Sequence, residues 1–100
     1  MIDEFQGFEW DDGNREKCQR HGVSITEIEL VLTEGPSIAP DFRHSIEEQR
    51  FIAVGRNAKG RPMFVAFTFR EQDGARLIRP VSARYMHKKE IERYEKSAGS

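Results

Sequence analysis

The stretch "RFIAVGRNAKGRPMFVAFTFREQDGARLIRPVSARY", Arg50–Tyr85, decides the fold. Its pattern has a period of two, in three runs: "RFIAVGR", "PMFVAFTFR" and "RLIRPVSARY". The runs are separated by "NAKGR" and "EQDGA", which read as turns, so the segment predicts a three-stranded antiparallel meander. In the middle strand Met63, Val65, Phe67 and Phe69 share one wholly apolar face that must pack on helices, while Phe64, Ala66, Thr68 and Arg70 share the other. In the last strand Arg76, Ile78, Pro80, Ser82 and Arg84 alternate with Leu77, Arg79, Val81, Ala83 and Tyr85. Regular alternation therefore puts Arg79 and Arg84 on opposite faces. Pro80 has no N–H to give to a ladder, so a bulge or interrupted pairing is expected there, and a bulge would re-aim one of the two arginines.

Upstream, Phe5, Phe8 and Trp10 suggest a short first strand. "DDGNREKCQRHG" then has an acidic start, a basic end and a terminal Gly22, the signs of a helix whose macrodipole is complemented at both ends. "SITEIELVLTEGP" predicts a second helix: Ser24 and Glu27 form a capping box, Ile25, Ile28 and Leu32 recur at helical spacing, and Gly35-Pro36 is the stop. Residues 36–46, with two prolines and no period, read as a loop. Downstream, Lys88–Lys96 reads as a closing helix with Ile91 and Tyr94 on its apolar side. The expected order is strand, helix, helix, three strands, helix, in one domain spanning residues 1–100.

Composition narrows the function classes. Hydrophobic residues make up 37% of the chain and charged residues 33%, which suits a folded protein with a heavily solvated surface. No apolar run approaches the roughly 20 residues needed to cross a bilayer, and the start is acidic where a signal peptide is basic, so a soluble, cytoplasmic protein is expected. One cysteine, Cys18, excludes an intrachain disulfide and a cysteine-built metal site. The net charge of −1 hides an asymmetry: residues 1–49 hold four basic and twelve acidic groups, residues 50–100 twelve basic and five acidic. Eleven of the 16 basic residues are arginines, whose planar fork suits phosphate. The second half is thus expected to present a basic surface to a polyanion or an acidic partner.

Several blocks, in this order and spacing, carry a resemblance. They are "FEWD" (Phe8–Asp11), "RHGVS" (Arg20–Ser24), "EQRFIAVG" (Glu48–Gly55), "GRPMFVAFT" (Gly60–Thr68), Arg70, "RPVSAR" (Arg79–Arg84) and "KKEIERY" (Lys88–Tyr94). Together they resemble the BrnT family of type II toxins, over nearly the whole chain. The resemblance implies an α+β, RelE-like fold: an antiparallel meander of three to four strands packed on one face by two N-terminal helices, with a short C-terminal helix. It also implies a small endoribonuclease that arrests growth, and a cognate BrnA-like antitoxin of the ribbon-helix-helix type. The hetero-oligomeric complex would then bind operator DNA through the antitoxin.

Metal-free RNA cleavage needs a base for the 2′ hydroxyl, cations for the phosphate and an acid for the leaving oxygen. His21, His44 and His87 lie in unrelated contexts without a metal-pair spacing, so neither metal nor other cofactor is expected. The catalytic candidates are His21, Glu48, Arg50 and Arg84. His21 is a base or acid candidate because an unperturbed imidazole changes charge near working pH, but beside Gly22 it also suits a helix C-terminus. Glu48 shares a strand face with Arg50 and has simple pairing with it as the alternative role. RNA-binding candidates are Trp10 for base stacking, Arg70, Ser82, and His87 with Lys88 at the start of the last helix. A lone Trp is more often a core residue, which is the favoured role for Trp10. Of the two arginines around "PVSA", Arg84 is expected to face RNA with Ser82, and Arg79 to be structural. A basic module that grips RNA or DNA without cleaving it, and a subunit that docks an acidic protein, are the competing readings.

Overall fold

The fold comes from a computed structural model that describes residues 4–44 and 48–98. Among the described residues nine elements follow one another: β1 (Gly7–Phe8), α1 (Asp12–Gln19), α2 (Ile25–Thr33), β2 (Ser37–Pro40), a 3-10 turn (Phe42–His44), β3 (Phe51–Arg56), β4 (Pro62–Gln72), β5 (Ala75–Tyr85) and α3 (Lys88–Ala98). Both early helices begin on reciprocal caps. Asp11 accepts from the Asn14 N–H while Asn14 accepts from the Asp11 N–H; Ser24 and Glu27 do the same for α2. Gly22 (φ +86°) and Gly35 (φ +68°) then supply the left-handed backbone on which each segment turns away.

The five strands form one mixed sheet in the order β1-β5-β4-β3-β2. The antiparallel ribbon β3-β4-β5 is the expected meander and β1 the expected short first strand, but the two edges make a mixed sheet of five strands where three to four antiparallel ones were expected. β1 runs parallel to β5, pairing Gly7 with Leu77 and Phe8 with Ile78. Part of the expected 36–46 loop is β2, antiparallel to β3 from Ser37–Val54 to Pro40–Phe51; residues 45–46 of that loop lie outside the described residues. Prolines hid this strand, yet an edge strand tolerates them because one side of its backbone makes no ladder.

The packed face holds the core: Ile28, Val31 and Leu32 of α2 and Cys18 of α1 meet Ala53, Met63, Val65, Phe67, Ile78 and Ala83. Burying each large side chain contributes about 1.5–3 kcal/mol.

At the expected place the β4-β5 ladder breaks. Ala66 pairs with Ser82 but Phe67 pairs with Pro80, so Val81 is an extra residue in β5. That bulge reverses the faces after it. Before it, Ile78 and Pro80 point into the core; beyond it Ala83 does. Arg79 faces Thr68 and Arg84 faces Phe64, two β4 residues of equal parity. Arg79 and Arg84 therefore lie on the same, open face, contrary to the expectation from regular alternation, and it is the bulge that turns Ser82 and Arg84 onto it.

Candidate active site

The open face carries a cleft of about 450 Å³, within the usual size of small-ligand sites. Its floor is the cross-strand row Ile52–Ala66–Ser82, with Phe64 and Arg84 in the next row. Ala66 and Ser82 are small, and the depression lies over them. Lys17 of α1 and His21, in the turn after it, form one wall; Asp41 and Arg50 form another, tied by the Asp41 N–H donating to the Arg50 carbonyl at 2.8 Å. Three cations and one imidazole thus line a cavity whose acidic member is Asp41. Both ends of the wall and floor trace to one anchor. The buried Asn14 amide of α1 donates to the Pro80 carbonyl at the bulge (2.9 Å) and to the Glu9 carbonyl (3.0 Å), which fixes α1 beside β5.

Arg84 has several partners. Its guanidinium forms a fork with Glu90 (2.8 and 2.9 Å), donates to the Tyr85 carbonyl (3.2 Å) and lies 4.7 Å from the Phe64 ring centroid. Among the described residues three of its N–H groups find partners, and of the five a guanidinium carries two remain. The Arg84 fork, together with the His87 N–H, holds the Glu90 carboxyl down to about 2, so the pair stays ionised at working pH. A second, smaller cleft of about 300 Å³ shares His21 and Arg84 with the first and adds Arg61, Tyr85, Met86 and His87.

The structure thus brings His21, Arg50, Ser82 and Arg84 together and sets His87 beside them. It places the other candidates elsewhere. Glu48 pairs with Arg70 (3.0 Å), which also approaches Glu9 (3.8 Å). Trp10 packs against the core and its indole N–H donates to Glu29 (2.9 Å). Lys88 is exposed in the first turn of α3. Arg79 is bound by Glu9 (3.0 Å) and Asp11 (2.9 Å). Lys17, in the last turn of α1, escaped the sequence reading. Among the described residues no group of three or more His, Cys, Asp or Glu is placed to hold a metal ion, and no helix is long and apolar enough to cross a membrane.

Residues 10–90 match the family model described as the ribonuclease toxin BrnT of type II toxin-antitoxin systems. The chain belongs to the BrnT family. No curated protein matches it. Every residue lining the two clefts falls inside the BrnT match, as does Asn14. Membership makes the chain a ribonuclease toxin with an RNA target and an antitoxin partner.

Proposed function

We propose that the open-face cleft is the site at which this toxin cleaves RNA, without a metal ion, by attack of a ribose 2′ oxygen on the adjacent phosphorus. The observation that carries this reading is the convergence of His21, Lys17, Arg50 and Arg84 around the small Ser82–Ala66 floor. His21 takes the 2′ hydroxyl proton as general base. Lys17, Arg50 and the two unused N–H groups of Arg84 hold the phosphate as its charge grows, and the Ser82 hydroxyl donates to a phosphate oxygen. The bond from phosphorus to the 5′ oxygen breaks as the 2′ oxygen bond forms, the leaving oxygen takes a proton from water, and the upstream fragment keeps a 2′,3′-cyclic phosphate. Glu48, held by Arg70, has no part in these steps.

On the same reading the antitoxin is of the ribbon-helix-helix type and inhibits by laying an acidic segment over the basic open face, so that the complex weakens with salt. Such a complex would reach operator DNA through the antitoxin. The fold is then a RelE-like plan, two helices before three antiparallel strands, with β1 and β2 added at its edges. The test is cleavage of total RNA by purified toxin in EDTA, with analysis of the new ends. Cyclic or 3′ phosphate ends in chelator are expected. Activity lost in EDTA and restored by Mg²⁺ overturns the metal-free route, and binding without cleavage favours the non-catalytic module.

A further inference from the structure

We infer that the second cleft is a subsite for the nucleotide next to the scissile phosphate, with Arg61 as a stacking shelf for its base. The inference rests on the ribonuclease reading of the first cleft, with which this one shares His21 and Arg84. A strand of RNA whose phosphate sits between those two residues must continue into one or both clefts.

The shelf is built in advance. The Arg61 guanidinium lies 3.6 Å from the centroid of the Tyr85 ring. The ring is fixed by its hydroxyl, which donates to Glu27 (2.7 Å), and Glu27 also accepts from the Asn57 amide (2.8 Å). Asn57 in turn accepts from the Arg61 backbone N–H (2.9 Å). One hydrogen-bond network therefore anchors both the ring and the arginine that covers it, which lowers the ordering cost of binding. Arg84, Arg79, Arg70 and Arg56 are each met by a carboxylate. Among the described residues no carboxylate pairs with Arg61, which lies exposed over the Tyr85 ring. Bases in single-stranded RNA stack on guanidinium planes, and the phosphate that follows would find the Arg61 N–H groups and His87 at the cleft rim.

The test is binding of 2′-O-methyl oligonucleotides of two to six residues, which cannot cyclise, to wild-type toxin and to Arg61→Ala, Arg61→Lys and Arg76→Ala. Arg76 is a control, stacked on Phe69 elsewhere on the sheet. Thermal unfolding checks that each variant folds. Arg61→Ala is expected to weaken the longer oligonucleotides about 5- to 150-fold, the value of one lost base stack, and to lower the slope of log K against log salt by about 0.7. The shortest oligonucleotide loses less. Arg61→Lys restores the salt slope but not the affinity, because an ammonium has no plane, and Arg76→Ala changes neither. Wild-type affinity at every length in a folded Arg61→Ala protein overturns the subsite while leaving the first cleft's role intact. Failure of the wild type to bind any of the series overturns both.

Discussion

Asn14→Ala is expected to cost this fold more than a single polar contact normally does. The side chain is 4% exposed and its amide donates to the Pro80 and Glu9 carbonyls, while its oxygen accepts from the Asp11 N–H at the start of α1. Truncation removes these three bonds, each worth about 0.5–1.5 kcal/mol net. A total of about 2–4 kcal/mol follows. At about 4–8 °C per kcal/mol for a domain of this size, the midpoint of thermal unfolding should fall by at least roughly 8 °C. Asn14→Asp keeps the shape but turns an acceptor toward two carbonyl oxygens, and should cost at least as much. Because α1 carries Lys17 and leads into His21, both variants should also lose RNA cleavage at temperatures where they remain folded. The assay pairs thermal unfolding by circular dichroism with cleavage of single-stranded RNA. Midpoints within about 2 °C of wild type for both variants would refute the anchoring argument.

Other outcomes are equally specific. Arg79→Ala should lower stability by about 1–2 kcal/mol, by removing the partner of Glu9 and Asp11, while cleavage stays within a few-fold of wild type, measured by unfolding and initial rates. Burial alone would raise the Glu27 carboxyl, but hydrogen bonds from Asn57, Ser24 and Tyr85 outweigh it and hold it at about 2. Since the folded value lies below the unfolded one, this contribution is complete above about pH 4.5 and is lost as pH falls toward 2. Urea midpoints from pH 7 to 2 should therefore show a shallower acid limb in Glu27→Gln. Burial pushes the Cys18 thiol up to about 11, so iodoacetamide at pH 8 should leave the native toxin unmodified by mass spectrometry and label it once it is unfolded.

Much of the fold was legible because its signals are local. Ser24 and Glu27 form the cap that their spacing announces, and the β3-β4-β5 ribbon follows the period-two pattern. Pro80 announced the bulge, but not its consequence. Counting parity assumes an unbroken ladder, and one extra residue at Val81 moved Arg84 and Arg79 to one face. β1 is two residues long and joins β5 by a contact about seventy positions away, which no local pattern encodes. In the candidate site, His21, Arg50, Ser82 and Arg84 were legible as residue types suited to phosphate chemistry. That Arg70 would hold Glu48 and that Trp10 would turn to Glu29 depended on which strands become neighbours. Lys17 was missed because a surface lysine in a charged helix carries no signal until the helix is laid against the open face.

The most direct test of the open-face cleft is the rate at which Arg84→Ala cleaves single-stranded RNA in EDTA, measured beside wild type with the fold of each verified by thermal unfolding. The account predicts a loss of about 10²- to 10³-fold, the value of one contact to the developing charge, in a protein that still unfolds cooperatively. A folded Arg84→Ala toxin that cleaves at the wild-type rate would contradict it.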